Sequence, residues 1–139
     1  MTGVYVHIPY CVRKCAYCDF CSVPRDLTVE QYPDALCREI ELSRDRLPYE
    51  GPVPSVFFGG GTPTALPADD LVRILEAVRR TYEVRSDAEI TVECNPGTAA
   101  YADFVKSAPP GSTGCPWGSS PPTIGCCRPW AASIPTTNS

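Results

Sequence analysis

A chain of 139 residues with sixteen acidic against twelve basic side chains, a net charge of −4, is long enough for one domain. Without a basic stripe it offers no nucleic-acid surface, and no apolar run approaches the length that crosses a bilayer, so membrane contact is not indicated either. Residues 1–10 lack the charged start and long apolar core of a signal peptide, so the cytoplasm is the expected compartment, where thiols stay reduced and clustered cysteines read as metal-binding rather than disulfide-linked.

In chain order, Val4-Tyr5-Val6-His7-Ile8 is a short β-rich run ended by Pro9. A cysteine loop follows at once. Thr28 with Gln31 three residues on fits a capping box, and Leu36, Ile40 and Leu47 recur at roughly helical spacing to about Arg46. Pro33 is awkward inside that helix, which moves its expected start towards Tyr32. Ser55-Val56-Phe57-Phe58 is a second strand, ended by Gly59-Gly60-Gly61-Thr62-Pro63. Leu71, Ile74, Leu75 and Val78 are spaced i, i+3, i+4, i+7, which predicts an amphipathic helix over 68–82. Glu89-Ile90-Thr91-Val92-Glu93 is a third strand, broken by Asn95-Pro96-Gly97, and a third helix is expected from about Ala99, carrying Tyr101, Phe104 and Val105.

The order β-α-β-α-β-α implies an α/β fold with a parallel sheet and right-handed crossovers. Each special stretch lies just past the C-terminal end of a strand. The cysteines follow the first, the glycines the second, and Glu93 ends the third. In a parallel sheet those ends share one edge, where α/β barrels and open sheets build their sites.

Cys11-Val12-Arg13-Lys14-Cys15-Ala16-Tyr17-Cys18 places three thiols in eight residues. Thiolates are soft ligands suited to iron–sulfur clusters or zinc. A closed zinc site needs four ligands, with Cys21 as the available fourth. A four-iron cubane held by three thiolates keeps one iron open for a second cofactor. Three ordinary thiols are the bland alternative, although packing gives no reason to place them in one loop. The glycine run allows close backbone approach and presents unobstructed N–H and C=O groups, and no Gly-Lys-Ser/Thr follows to make it a phosphate loop. By itself it is also compatible with a plain turn. Glu93 is suited to accept hydrogen bonds from ribose hydroxyls, or is a solvated strand-end carboxylate. His7, the single histidine, reads as structural, Tyr5 as a possible core residue, and Cys37 and Cys94 as buried thiols.

The cysteine spacing resembles the cluster motif of the radical S-adenosylmethionine enzymes. The resemblance implies a [4Fe–4S] cluster whose open iron chelates the amino and carboxylate groups of S-adenosylmethionine, which is cleaved reductively to a 5′-deoxyadenosyl radical. Tyr5–Cys11, Cys15–Phe20, Phe57–Thr64 and Glu93–Gly97 resemble, more narrowly, the oxygen-independent coproporphyrinogen III oxidase family over about residues 3–106. It implies the N-terminal half of a partial (β/α)6 barrel. By position, Cys11, Cys15 and Cys18 would hold the cluster. Tyr5, Tyr17, Gly60, Gly61, Thr62 and Glu93 would line the S-adenosylmethionine site, Tyr17 through its backbone. The oxidases, which decarboxylate two propionates of coproporphyrinogen III, carry a further cysteine two residues after the third, and here that position is Phe20. Cys18-Asp19-Phe20 resembles instead the branch regarded as heme chaperones, which implies heme or porphyrin as ligand, with a heme-acceptor protein and an electron donor as partners of the full-length family.

Composition shifts near Ser107. Residues 107–139 hold seven of sixteen prolines, three of nine cysteines and a single charged residue, Arg128, with no Leu or Val. Cys115, Cys126 and Cys127 have no partner spacing that marks a metal site. Residues 1–106 are thus expected to form the core domain, and 107–139 an irregular tail, either disordered or a frame-shifted reading of the family sequence. Taking the last base of each codon with the first two of the next, from Ala108 on, permits a string with the family's Gly-Val-Gln-Ser motif. Trp117-Gly118 and Trp130-Ala131 each force a glycine where the family has one. With the tail as written, the third strand is expected to keep an unpaired edge, and the chain to be unstable, prone to aggregate and incompletely active.

Overall fold

The computed structural model describes residues 2–94 and 123–126. Strand β1 (Val4–Ile8) is followed by two short strands, β2 (Tyr10–Cys11) and β3 (Val23–Pro24), and by a 3-10 turn at Leu27–Glu30. Then come α1 (Tyr32–Ser43), β4 (Val53–Gly60), a 3-10 turn at Pro63–Ala65, α2 (Ala68–Thr81), β5 (Val84–Cys94) and β6 (Thr123–Cys126). The main sheet is parallel throughout, in the order β1-β4-β5-β6. Strand order climbs without reversal. Right-handed crossovers therefore put α1 and α2 on one face, as in a segment of a (β/α) barrel rather than a doubly wound sheet.

Period-2 alternation sorts the strands' side chains between that helix face and an open one. Val6 and Ile8 of β1, Val56 and Phe58 of β4, and Ile90 and Val92 of β5 are buried beneath Leu36 and Ile40 of α1 and Leu71, Ile74, Leu75 and Val78 of α2. The register Val6↔Phe58 and Phe58↔Val92 puts the β-branched and aromatic residues of three strands in one row. Tyr5, His7, Phe57, Gly59, Thr91 and Glu93 occupy the alternate positions, on the open face.

Helix α2 matches its predicted span, with Asp69 and Asp70 in the first turn and Arg79 and Arg80 in the last, complementing the helix dipole. Helix α1 starts at Tyr32, with Pro33 in its first turn, where no intrahelical N–H is lost. The Thr28 and Gln31 pair does not cap it. Asp26 accepts instead from the N–H and hydroxyl of Thr28 at 2.8 and 2.6 Å, which closes a separate 3-10 turn, and the two bonds hold the Asp26 carboxyl below the usual carboxylate range. The helix also stops at Ser43, three residues short of Arg46, which leaves Leu47 outside it and exposed.

The second and third strands are longer than their apolar runs. β4 continues through Gly59 and Gly60, which pair with His7 and Ile8, and β5 begins at Val84. Backbone pairing extends past the apolar stretch because neither glycine carries a side chain to oppose it. The free edge expected on β5 is occupied: Thr91↔Thr123 through Cys94↔Cys126 pair it with β6. The third helix expected from about Ala99 lies outside the described residues. Among the described residues no helix is long and apolar enough to cross a membrane.

Candidate cofactor site at the strand ends

The cysteine loop is closed at its base by a small parallel sheet that has no signature in the sequence. Tyr10↔Val23 and Cys11↔Pro24 pair β2 with β3, and the N–H groups of Val23 and Arg25 donate to the carbonyls of Pro9 and Cys11, each at 2.8 Å. Inside the loop, Lys14 Nζ donates to the Phe20 and Ser22 carbonyls at 2.7 and 3.2 Å and to Ser22 Oγ at 3.0 Å. Cys18 N–H closes a turn on the Cys15 carbonyl at 3.1 Å. Cys11, Cys15 and Cys18 are partly buried and Cys21 is exposed, with no disulfide among these four. Tyr17 is 86% exposed beside Cys15, and the hydrogen bond between their side chains raises the phenol's pKa. Among the described residues no three Cys, His, Asp or Glu side chains converge to hold one metal ion, so the three thiols share a loop without being gathered on a point.

The end of β4 comes up beneath Cys11. Gly61 N–H donates to the Ile8 carbonyl and Thr62 N–H to the Tyr10 carbonyl, each at 2.8 Å, carrying the β1–β4 pairing into the loops. A methyl group on Gly61 would stand 2.7 Å from Tyr10 O and 2.9 Å from Cys11 Sγ, so only glycine fits. Thr62 is buried, and its hydroxyl donates to Cys11 Sγ at 3.7 Å. Gly60 takes a φ of +119°, closed to other residues.

On the open face, Tyr5 and Phe57 lie as near-parallel rings, 6.0 Å between centroids and 17° between planes. A methyl group on Gly59 would stand 2.8 Å from the Phe57 ring, 3.0 Å from that of Tyr5 and 3.1 Å from Glu93 Oε2. Gly59 therefore lets two aromatic rings and a carboxylate close together at the strand ends. Partial burial, with Glu93 nearby, raises the Tyr5 phenol's pKa. This can offer an adenosine-like ligand stacking surface and a hydroxyl acceptor. Cys37, by contrast, sits on the helix side with its thiol 4.0 Å from the Arg73 carbonyl, and burial pushes its pKa up. Cys94 is buried beneath the sheet.

Of the predicted residues, the fold brings Tyr5 and Glu93 together around Gly59, and Cys11 together with Gly61 and Thr62. Gly60 links the two groups at the end of β4. Cys15, Cys18 and Tyr17 stay out on the loop. Sequence reasoning missed Phe57 and His7 as site residues, although both share the Tyr5 face under simple strand alternation, a signal present in the sequence.

The family model of the radical SAM superfamily matches residues 5–114. This chain belongs to the radical SAM superfamily. Its relatives include the heme chaperone HemW of Synechocystis sp., 43% identical over 105 residues, covering 70% of this chain and 24% of the relative. The anaerobilin synthase of Escherichia coli O157:H7 is 42% identical over 92 residues, covering 65% of this chain and 21% of the synthase. Among solved structures, coproporphyrinogen III oxidase (HemN) from Escherichia coli, a radical SAM enzyme, superposes with a TM-score of 0.65 at 32% identity, over 76% of this chain and 24% of its own. The chain thus spans about a quarter of the length of these proteins. The radical SAM assignment accounts for the architecture: a parallel sheet with its helices on one face and its cysteine loop after β1.

Proposed function

We propose that this radical SAM chain carries the cluster and S-adenosylmethionine portion of a heme-handling protein of the chaperone type. Cys11, Cys15 and Cys18 hold a [4Fe–4S] cluster in this reading. Tyr5, Tyr17, Gly60, Gly61, Thr62 and Glu93 line the S-adenosylmethionine site. The observation that carries it is the junction beneath Cys11, where glycine alone fits between the thiol and the Tyr10 carbonyl and where Thr62 donates to the sulfur.

The residues suit the group in donor type and in space. Three soft thiols lie on one loop, one of them already seated on the glycine floor. Gathering Cys15 and Cys18 towards Cys11 needs movement within the loop alone, because its base is pinned at β2–β3. When bound, such a cluster supplies an open iron for the methionine end of S-adenosylmethionine and an electron for cleaving its sulfonium. The chain's own contribution is positional. Gly60 and Gly61 let β4 close on the Ile8 and Tyr10 carbonyls and seat Cys11, Glu93 accepts from ribose hydroxyls, and the Tyr5 and Phe57 rings keep water from one side of the site.

Phe20 supports the chaperone branch over decarboxylation. It stands where the oxidases carry their additional cysteine, and it is 70% exposed, offering an apolar surface on the cluster loop. Heme or porphyrin is the proposed ligand, the cytoplasm the compartment, and a heme-acceptor protein and an electron donor the partners of the complete protein.

The test is anaerobic reconstitution followed by metal and acid-labile sulfide analysis. About four irons with matching sulfide per chain are expected, lost in the Cys11→Ala, Cys15→Ala and Cys18→Ala variants. Stoichiometric zinc without sulfide, dependent on Cys21, would replace the reading with a zinc module. On the complete protein, heme binding without coproporphyrinogen decarboxylation is expected, and decarboxylation would move it to the oxidase branch.

A further inference from the structure

One side chain touches the cysteine loop, the glycine turn and Tyr5. His7 Nε2 lies 2.9 Å from the Cys21 carbonyl oxygen, and its Nδ1 lies 3.3 Å from the Tyr5 hydroxyl. A carbonyl only accepts, so Nε2 carries the proton and Nδ1 accepts from Tyr5. The ring also covers Gly60, where a methyl group would stand 2.8 Å from both Cε1 and Nδ1. The backbone beneath is held as well: Tyr32 on α1 donates its hydroxyl to the His7 carbonyl at 2.6 Å. The imidazole therefore connects the end of the cysteine loop, Tyr5 on the open face, and the glycine turn.

We infer that His7 is a positioning residue that holds the distal limb of the cysteine loop against Tyr5 and Gly60. The limb is cross-tied on either flank of Cys21, because Lys14 bonds both Phe20 and Ser22 from the loop's other side. A single hydrogen bond at Cys21 thus places Phe20 and Ser22 relative to the open face and anchors the limb that follows the Cys15–Cys18 turn. Without it, the base stays closed at β2–β3, but the limb above loses the side-chain tie to β1 that His7 supplies. The inference rests on the proposed function only for what the loop carries. That His7 orders the loop follows from this chain's own contacts.

Amide hydrogen exchange on the full chain, reduced and metal-free, tests it with His7→Leu and His7→Gln. In His7→Leu the amides of Cys18 and Ser22 should exchange roughly tenfold faster, while those of Val23 and Arg25 at the loop's base and of Phe58 and Val92 in the sheet stay within about twofold. His7→Gln, which retains an N–H donor and a carbonyl acceptor, should restore the loop amides to within about threefold of the native rates. Unchanged loop exchange in His7→Leu overturns the inference. So does a uniform acceleration through β4 and β5, which would make His7 a general stabiliser, or a glutamine variant no better than leucine. Iron uptake on reconstitution is measured beside it. A chain that binds no iron yet shows the predicted exchange pattern refutes the functional proposal and leaves the role of His7 standing.

Discussion

Gly60 and Gly51 both adopt positive φ, and replacing each with alanine separates two costs the site combines. Gly51, at +73° with nothing within 4 Å of an added methyl group, meets backbone strain alone, about 1–2 kcal/mol. Gly60, at +119°, lies further from any region open to alanine, at roughly 1–3 kcal/mol. Its methyl would also stand 2.7 Å from the Ile8 carbonyl and 2.8 Å from the His7 ring, an overpacking cost of about 1–3 kcal/mol. Ile8 cannot retreat freely, because its carbonyl accepts the Gly61 N–H at 2.8 Å, and stretching that bond forfeits ~0.5–1.5 kcal/mol more. Gly60→Ala should therefore lose roughly 2.5–7.5 kcal/mol against about 1–2 for Gly51→Ala, a large share of the ~5–15 kcal/mol of an ordinary domain. Urea unfolding followed by far-UV circular dichroism reads the difference as a shift in midpoint at constant slope. Equal losses in the two variants would refute the close approach of β4 to β1 from which the site geometry is built.

Leu75, fully buried on α2, should cost about 2–5 kcal/mol as Leu75→Ala in the same assay, and a loss under about 1 kcal/mol would mean that α2 does not seal the sheet as described. The Tyr32 phenol is pushed up to about 12, chiefly by burial and then by Glu39 and Tyr10, so the fold favours its neutral form. That contribution is complete below the ordinary tyrosine value of about 10 and is lost as pH rises from there through about 12, so Tyr32→Phe should flatten this alkaline branch of the stability profile. The Asp26 carboxyl, held low by Thr28, gives the opposite sign: its contribution is present above about pH 4 and fades as pH falls further, an acid branch that Asp26→Asn should remove. Resequencing the coding DNA across codons 100 to 139 should reveal one extra or missing base near codon 107. An intact frame would make the tail's composition genuine, and restoring a shifted frame would replace the Thr123–Cys126 strand beside β5 with a different segment.

Local patterns alone determined much of this chain. The 3.6-residue spacing of Leu71, Ile74, Leu75 and Val78 placed α2, the apolar runs located β1, β4 and β5, and the alternation of helix and strand implied a parallel sheet with its special stretches on one edge. These are short-range signals, carried by which face of an element must leave water. The cysteine, glycine and Glu93 motifs were legible for the same reason, each being contiguous in the chain. Tertiary structure alone decided what those stretches touch. The β2–β3 clamp consists of two-residue strands with no periodicity to read, and it exists because Pro9 and Cys11 carbonyls meet Val23 and Arg25 amides across the loop. Asp26 displaced the Thr28–Gln31 cap because its carboxylate reaches both Thr28 donors at once. His7 had no sequence signature beyond its strand position. Its place at the centre of the site comes from long-range partners, Cys21 fourteen residues away and Gly60 on a neighbouring strand, which only the folded chain brings within hydrogen-bonding and van der Waals reach.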